Sequence, residues 1–404
     1  MSTSLLYHGF GICGYQYLST AYARGKIFFR VCKRKTDLRC PDCGSPQVIG
    51  KGSVERRFNT VPVGSKPVVI VLTVQRVLCL DCGALKQIKI GFADPRRSYT
   101  RQFERYALEL SRHMTIKDVA RHLDVSWDLI KDIQKRNLAR CFRRPKLKHL
   151  KQIAIDEISI GRGQRYLTIV LDLKSGAVIF VGDGKGTDAL KPFWRRLKPS
   201  KAAIEAVAID MSRAYINAVR KHLPDAVIVF DRFHIVKLFN EKLSNFRRAL
   251  YHKAVTEEEK NVIKGTRWLL LKNSTNLNAA KSEAERLNQA LELNQPLATA
   301  YYMKEELREA WNQTSKKQAK EFLANWIVRA KASGVSMLKK FAKTLVKHFK
   351  GIVAYYDYSI STGPLEGTNN KIKTMKRQAY GFRDKEFFKL KIMALHLTRY
   401  ALIG

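Results

Sequence analysis

Long apolar runs and acidic residues are both scarce in this sequence. No run of about 18 consecutive apolar residues occurs, so no membrane-spanning helix is expected. The first residues lack a basic segment ahead of an apolar one, so no secretory signal peptide is expected. Only 7 cysteines occur in a chain without a secretion signal, which argues against a disulfide framework. Together these absences favour a cytoplasmic protein.

Basic residues greatly outnumber acidic ones. Lys and Arg total 75 against 35 Asp and Glu, which gives a formal net charge of +40 at pH 7. Self-repulsion on this scale indicates a polyanionic partner, and nucleic acid is the first candidate. A ribosomal or structural RNA-binding protein would carry a similar charge. The hydrophobic fraction of 45% and the length of 404 residues predict a largely folded chain of about two to four domains.

Two C-x-x-C pairs predict a structural zinc site. Two thiolates three residues apart can hold one side of a tetrahedral ion, and a second pair closes the site with four sulfur ligands. The predicted ligands are Cys40, Cys43, Cys79 and Cys82. We assign residues 38–90 to this zinc-binding module and residues 1–37 to an N-terminal arm. The alternative is two unrelated surface pairs. Cys13, Cys32 and Cys141 are isolated and predicted to be buried thiols.

A helix-turn-helix pattern covers residues 115–136, inside a predicted domain of residues 95–142. Apolar residues recur at helical spacing on both sides of a short turn at Asp124 and Val125, and Ser126 can cap the second helix. The usual glycine of such a turn is absent. An ordinary helical hairpin is the alternative, but the charge favours DNA binding. The predicted DNA contacts are Ser126, Trp127, Lys131, Lys135 and Arg136.

Beyond the basic linker at residues 143–151, the pattern becomes rich in strands. Three strands separated by glycine-containing turns are followed by a helix and two further strands. Acids recur late in these strands or at their ends, at Asp156, Asp210 and Asp231. Because buried carboxylates are costly without a cation, three in one sheet predict a carboxylate cluster.

The segment GPLEGTNNKIKTMKRQAYGF, residues 363–382, predicts an amphipathic helix that begins near Pro364. Its apolar residues fall on one side. Its other side carries Glu366, Asn370, Lys373 and Arg377. Considered alone, this segment is typical of a surface helix with an ion pair.

Four motifs carry a family resemblance: IDEISIGRG, IDMSRAY, DRFHIVK and PLEGTNNKIK with GFRD. Located after a C-x-x-C module and a helix-turn-helix, they resemble bacterial insertion-sequence transposases of the ISL-three family. This family belongs to the DDE superfamily, which has an RNase H-like core. The resemblance implies a transposase that binds terminal inverted repeats of double-stranded DNA, works as a homo-oligomer, and cleaves and transfers strands with Mg²⁺ or Mn²⁺.

The resemblance also implies the site residues. Asp156, Asp210 and Glu366 are the implied catalytic acids and ligands of the Mg²⁺ ions, because two such ions clamp the oxygens of a phosphodiester during transfer. Asp231 and His234 match an auxiliary D-x-x-H element. The first carboxylate could instead be Glu157. Because neighbours on a strand point to opposite faces, only one of the two can serve, and the motif match favours Asp156. We expect Asn370, Lys373 and Arg377 to hold DNA phosphates beside the metals.

The expected fold class is therefore α/β and multidomain. It combines a zinc-ribbon-like module, a helix-turn-helix and an RNase H-like mixed sheet with an all-α insertion. We assign the core to residues 150–240 and 356–404, and the insertion to residues 241–355. Trp268, Trp311 and Trp326 in the insertion are predicted to be core residues, although one of them could stack on a base. The alternative functions are an RNase H-like nuclease or resolvase, and a zinc-containing DNA-binding regulator with an inactive core. The expected location is the cytoplasm, in association with the nucleoid.

Overall fold

The computed structural model describes residues 5–161, 163, 165–272 and 276–396. Its internal contacts divide the chain into two compact units. The first contains the residues up to Arg143 together with Met375–Leu390. The second contains Arg144–Thr374 and the segment that begins at Lys391. The first division therefore falls inside the basic linker.

A five-stranded sheet forms the N-terminal part of the first unit. Its strands are β1 (Gln16–Ala23), β2 (Lys26–Cys32), β3 (Val48–Val63), β4 (Lys66–Cys79) and β5 (Leu85–Gln87). The order is β1-β2-β4-β3, with β5 paired to β4. Strand β4 is central and reads VVIVL where it is most buried, which is typical of a strand covered on both faces.

Strands β1 and β2 come from the predicted N-terminal arm, yet β2 pairs in parallel with β4. The arm is thus part of the same sheet as the zinc-binding module, and no structural boundary occurs near residue 37. The physical reason is that Ile27 and Val31 of β2 are buried and extend the apolar face of β4.

The remainder of the first unit is helical. A short helix α1 (Leu5–His8) precedes the sheet, and α2 (Arg101–Leu110), α3 (Ile116–His122) and α4 (Trp127–Phe142) follow it. Their shared core includes Phe103, Val119 and Ile130, and Phe387 also packs into it. Phe387 belongs to the last described helix, α14 (Lys385–Met393).

The second unit contains a mixed sheet. Its strands are β6 (Gln152–Gly161), β7 (Arg165–Asp172), β8 (Val178–Asp183), β9 (Ala206–Ile209) and β10 (Val227–Phe230). The order is β10-β9-β6-β7-β8: β6, β7 and β8 form an antiparallel meander, while β9 and β10 run parallel to β6. The helices α5 (Thr187–Leu197) and α6 (Arg213–His222) alternate with these strands, and α7 (Arg232–Lys253) follows β10. The predicted mixed sheet is confirmed.

From α7 onward the described residues form helices and no strand, as the predicted all-α insertion requires. The helices are α8 (Glu257–Gly265), α9 (Glu283–Leu293), α10 (Gln295–Leu307), α11 (Lys316–Ala332), α12 (Ser336–Val353) and α13 (Gly363–Gln378). Short 3₁₀ helices lie at Lys35–Asp37, Lys198–Ser200, Leu269–Leu271, Ala279–Lys281, Arg308–Trp311 and Ala354–Tyr356.

Two details differ from the sequence predictions. Trp311 and Trp326 are buried as predicted, but Trp268 is 65% exposed, with the Arg267 guanidinium 4.7 Å from its ring centroid. The three isolated cysteines were predicted to be buried, yet Cys13 and Cys141 are exposed and Cys32 is partly exposed. Burial depends on contacts distant in the sequence, and an isolated Cys or Trp carries little information about them. In the described part of the chain, no helix is long and apolar enough to cross a membrane.

Candidate functional site

Two chain turns bring four cysteine thiols together in the first unit. The Sγ atoms of Cys40 and Cys82 are 3.6 Å apart, and so are those of Cys43 and Cys79. In a regular tetrahedron with Zn–S distances of about 2.3 Å, neighbouring sulfurs lie about 3.8 Å apart. The spacing and the four soft sulfur donors therefore fit one zinc ion.

The same backbone arrangement supports both cysteine pairs. The N–H of Gly44 donates to the carbonyl of Cys40, and the N–H of Gly83 donates to the carbonyl of Cys79, each at 3.1 Å. Both glycines have positive φ, a conformation that a side chain would strain. Hydrogen bonds to its sulfur, of which that from the backbone N–H of Cys43 is the largest, outweigh burial and lower the pKa of the Cys40 thiol to about 6. The pKa of the Cys43 thiol is raised, and that of Cys82 is raised to about 12, with neighbouring thiols contributing to both.

Helices α3 and α4 form the predicted helix-turn-helix. Ser126 caps α4, because its hydroxyl accepts the N–H of Leu129. The turn contains no glycine, but Asp124 takes the left-handed conformation there, with φ of 51°. Aspartate tolerates this conformation better than most residues, so the missing glycine does not disrupt the motif.

Two predicted DNA-contacting lysines on α4 are paired with an acid. The Nζ atoms of Lys131 and Lys135 lie 3.3 and 2.8 Å from Oδ2 of Asp384. Burial by itself raises the pKa of Asp384, but hydrogen bonds from Lys135, the N–H of Phe387 and Lys131 outweigh it and lower that pKa to about 2. A DNA phosphate that bound these lysines would have to compete with an ionised carboxylate.

The other predicted contacts on α4 differ in accessibility. Arg136 lies 3.3 Å from the Glu104 carboxylate and 3.2 Å from that of Asp132. Trp127 is exposed at the start of the helix, and the Lys131 ammonium lies 5.3 Å from its ring centroid. Ser126 is also exposed, although its hydroxyl caps the helix.

Asp156 lies on β6, on the opposite face from Glu157. Its Oδ2 accepts a 3.0 Å hydrogen bond from Nδ2 of Asn369 on α13, and its Oδ1 accepts the N–H of Glu157. The Glu157 carboxylate accepts the hydroxyl of Tyr215 on α6 at 2.9 Å. The two acids therefore have different surroundings, as strand alternation predicts.

Asp210 follows β9, the strand beside β6. The register pairs Ala154 with Ala208, so continuing it by two residues aligns Asp156 with Asp210. Burial is the largest influence that raises the pKa of Asp156, and the negative charges of Asp210 and Glu157 act in the same direction. The N–H of Glu157 and the charge of His234 oppose this rise without cancelling it.

Asp231 and His234 form a pair at the start of α7. Asp231 is 3% exposed, and its carboxylate contacts Nδ1 of His234 at 3.2 Å and accepts the N–H of Thr362 at 3.3 Å. Burial alone raises the pKa of Asp231, but these two bonds lower it below its ordinary value. Burial alone lowers the pKa of His234, but the hydrogen bond with Asp231 and the charge of Asp156 outweigh it, so that pKa is raised.

Glu366 lies in the first turn of α13, with its side chain exposed. The helix has the predicted two faces, since Leu365, Ile372 and Met375 are buried. Asn370, Lys373 and Arg377 are exposed, as predicted. Within the described residues, the acids do not form a compact metal-binding group. Among groups of three or more His, Cys, Asp or Glu in the described part of the chain, only the four cysteines have ligand atoms that all lie within 4.8 Å of one another.

Two residues that contact the predicted site residues were not identified from the sequence. Asn369 contacts Asp156 directly, and its position three residues after Glu366 on a helix was the available signal. Asp384 pairs with α4, but its motif GFRD lies about 250 residues from the lysines, so no local pattern connects them.

Three family models match the chain. One describes a DDE transposase of the ISL3 type and matches residues 153–392. The second describes the helix-turn-helix domain of transposase family ISL3 and matches residues 88–136. The third describes a zinc finger of the transposases IS204, IS1001, IS1096 and IS1165 and matches residues 38–82. The predicted zinc-ribbon-like module, helix-turn-helix and transposase core are thus confirmed.

Individual proteins agree with the family models. The transposase of insertion sequence element IS1001 from Bordetella parapertussis is 32% identical over 358 residues, which is 88% of each chain. The transposase of element IS1557 from Mycobacterium tuberculosis is 27% identical over 387 residues, which is 89% of this chain and 86% of that protein. A match to the solved structure of the Drosophila P element transposase strand transfer complex covers 75% of this chain and 93% of that chain at 11% identity. Its TM-score of 0.38 does not establish a shared fold. On the family models and the IS1001 relative, the chain belongs to the ISL3 family of insertion-sequence transposases.

Proposed function

We propose that this transposase cleaves and joins DNA by a DDE mechanism, with Asp156, Asp210 and Glu366 as its catalytic acids. The observation that carries the proposal is that β6, which contains Asp156, pairs in parallel with β9, which Asp210 directly follows, and that the Asp210 charge contributes to raising the pKa of Asp156. The surroundings of Glu157 support the choice of Asp156, since Tyr215 already binds the Glu157 carboxylate.

The donor set fits a divalent cation such as Mg²⁺ or Mn²⁺. Asp156 is partly buried, and the neighbouring negative charges disfavour its ionised form. A cation held by Asp156, Asp210 and Glu366 would relieve this repulsion, and carboxylate oxygens are the ligands that hard cations prefer. When bound, the cation neutralises charge on the phosphate and lowers the pKa of a bound water.

The chain's own residues orient these acids. Asp231 binds the backbone N–H of Thr362, which fixes the start of α13 and with it the position of Glu366. His234 places a positive charge beside Asp156 when it is protonated. Lys373 and Arg377 are exposed further along α13, where their charges would hold DNA phosphates.

The proposed reaction has two transfers at phosphorus. In the first, a water molecule loses a proton as its oxygen bonds to phosphorus at the element end, and the 3′ oxygen leaves with the bonding electrons and takes up a proton. In the second, this 3′-hydroxyl loses its proton as its oxygen bonds to a target phosphorus, and the displaced target 3′ oxygen leaves with the bonding electrons and takes up a proton. Neither transfer needs a covalent enzyme intermediate, so no Ser, Tyr or Cys nucleophile is required.

The catalytic proposal is tested with Glu366→Gln in the full chain. Cleavage of a labelled element end in Mg²⁺ should fall by several orders of magnitude, because cation-mediated charge stabilisation is worth several kcal/mol. End binding should persist, which excludes simple unfolding. Glu157→Gln is the matched control and should retain cleavage. If Glu366→Gln cleaves at a near-normal rate, α13 does not supply the third acid.

The same assay separates the alternative functions. A nuclease or resolvase would cleave without joining the freed 3′ end to target DNA. A regulator with an inactive core would bind the ends and cleave nothing, even with Mn²⁺. The proposal includes a homo-oligomer on the DNA, and the mass of the complex with an element end measures this directly.

The DNA-binding part of the proposal assigns the inverted-repeat contacts to Ser126, Trp127, Lys131, Lys135 and Arg136 of the helix-turn-helix, and phosphate contacts near the acids to Asn370, Lys373 and Arg377. Changing Lys131 and Lys135 to Ala should weaken end binding and reduce its salt dependence, because fewer counterions are released. Asp384→Asn should have the opposite effect, since it frees both lysines. Unchanged binding in both variants would exclude this face of α4 from the interface.

A further inference from the structure

The side chain of Asn369 has one polar atom without a partner. Asn369 is 5% exposed, and its Nδ2 donates to Oδ2 of Asp156 at 3.0 Å. Its Oδ1 is buried and accepts no hydrogen bond from the residues that the structure describes. A buried carbonyl oxygen without a partner costs about 1–3 kcal/mol, so such an atom calls for an explanation.

The surroundings of the carboxamide suggest a cation as the partner of its oxygen. The amide contacts Asp156, whose carboxylate is influenced by the charges of Asp210 and His234. Asn369 also lies three residues after Glu366 on α13, so the two side chains are neighbours on the helix surface. Asparagine carbonyl oxygens bind hard cations in the same way as carboxylate oxygens.

The distance between the two side chains is also suitable. Neighbouring oxygens in an octahedral Mg²⁺ shell are about 3.0 Å apart, because each metal–oxygen distance is about 2.1 Å. The Nδ2 atom of Asn369 lies 3.0 Å from Oδ2 of Asp156. A half-turn of the carboxamide would exchange Nδ2 and Oδ1, and would present two oxygens at this spacing.

We propose that Asn369 is a further ligand of the divalent cation held by Asp156. In the absence of the cation, its N–H groups hold the Asp156 carboxylate. In its presence, the carboxamide turns and Oδ1 binds the ion. This inference rests on the proposed function, because it requires a cation at Asp156.

The competing explanation is that Asn369 only orients Asp156 through the hydrogen bond. Both roles predict weaker cation binding in Asn369→Ala, since even partners outside the ligand set change metal affinity by about 10- to 100-fold. The roles differ when the oxygen is replaced by sulfur. A ligand position occupied by a thiolate favours Cd²⁺ over Mg²⁺, whereas an orienting position leaves this preference unchanged.

The test uses the full-length, zinc-loaded protein without DNA, and measures Mn²⁺ binding by the electron paramagnetic resonance signal of the free ion. Asn369→Ala should weaken Mn²⁺ binding by about 10-fold or more. Asn369→Cys should displace Mn²⁺ more readily with Cd²⁺ than with Mg²⁺, relative to the wild type. The matched controls are Gln378→Ala and Gln378→Cys, because Gln378 is an exposed carboxamide at the end of the same helix. Both controls should bind cations like the wild type.

Three results are informative. Wild-type Mn²⁺ affinity in Asn369→Ala, or an unchanged Cd²⁺ to Mg²⁺ preference in Asn369→Cys, would overturn the inference. If Asp156→Asn still abolishes Mn²⁺ binding in that case, the proposed function stands. If Asp156→Asn binds Mn²⁺ like the wild type, the cation site itself is absent and both fail.

Discussion

The cysteines of the first unit and the acids of the second are both candidate metal ligands, but among the residues that the structure describes only the cysteines form a compact group. The four sulfur atoms lie within 4.8 Å of one another, whereas no comparable group of acids occurs in the described residues. The cysteines lie on two short turns that share one backbone pattern. The acids lie on β6, after β9 and on α13, so their spacing depends on the packing of three elements.

Under the proposed function, this difference separates a site that stabilises the fold from a site that performs chemistry. Four sulfurs complete the shell of a zinc ion and leave no position for a substrate. The acids leave positions open, and phosphoryl transfer needs open positions for the attacking and leaving oxygens. Asp231 is the exception in the second unit, because His234 and Thr362 already satisfy its carboxylate. We therefore expect Asp231 to resemble the cysteines in its effect on stability.

The largest stability effect is expected at the zinc site. Cys40→Ser should lose the zinc and destabilise the first unit by several kcal/mol, because zinc binding contributes about 10–16 kcal/mol to the folding of zinc-finger peptides. Metal analysis and thermal unfolding of the full chain measure both effects. Cys13→Ser is the control, since Cys13 is exposed and lies outside the cluster. A Cys40→Ser protein that melts like the wild type would show that the cluster is not structural.

A smaller loss of stability is expected at Asp231, whose carboxylate is already paired with His234 and Thr362. Asp231→Asn should lower the free energy of unfolding by about 1.5–3 kcal/mol, the range for hydrogen bonds to charged groups. Asp225→Asn is the control, because Asp225 is an exposed acid just before β10, and its effect should lie within about 0.5 kcal/mol. An equal loss in both variants would mean that Asp231 has no special role in stability.

The stability difference between the wild type and Asp231→Asn should depend on pH. The pKa of Asp231 is lowered in the folded protein, so its stabilisation is present above the ordinary value of about 3.9 and is lost as the pH falls. The pKa of His234 is raised, so its share is present below about pH 6.5 and is lost as the pH rises through the raised value. Denaturant unfolding should therefore show the largest difference between wild type and Asp231→Asn from about pH 4 to 6.5.

The features that the sequence predicted well depend on short, regular patterns. Each C-x-x-C pair and the apolar period of α3 and α4 can be recognised from a few neighbouring residues. The missed features depend on packing between distant segments. The pairing of β2 with β4 and the contact of Asp384 with Lys135 are examples. Asn369 is an intermediate case, because its helix was predicted, but its contact with Asp156 requires the positions of two elements.

The smallest effect on stability is expected at Asp156. Its substitution should stabilise the protein, whereas Cys40→Ser and Asp231→Asn should destabilise it. The pKa of Asp156 is raised in the folded protein, so its ionisation opposes folding. This cost is absent below about pH 3.9 and grows as the pH rises towards the raised value. Without divalent cations, Asp156→Asn should therefore raise the free energy of unfolding slightly near neutral pH, by less than about 1 kcal/mol. Its amide oxygen can still accept the N–H of Glu157.

Added Mg²⁺ should make the wild type more stable than Asp156→Asn. A cation that binds the folded protein stabilises it, and the stabilisation grows with the logarithm of the cation concentration. Of the two proteins, the wild type alone retains the Asp156 charge that would bind Mg²⁺. Thermal unfolding with and without Mg²⁺, at pH 4 and pH 7.5, measures which of the two proteins is more stable under each condition. If Asp156→Asn is instead destabilised by several kcal/mol without Mg²⁺, Asp156 is a closed structural carboxylate like Asp231. The contrast between a closed zinc site and an open acidic site would then not hold.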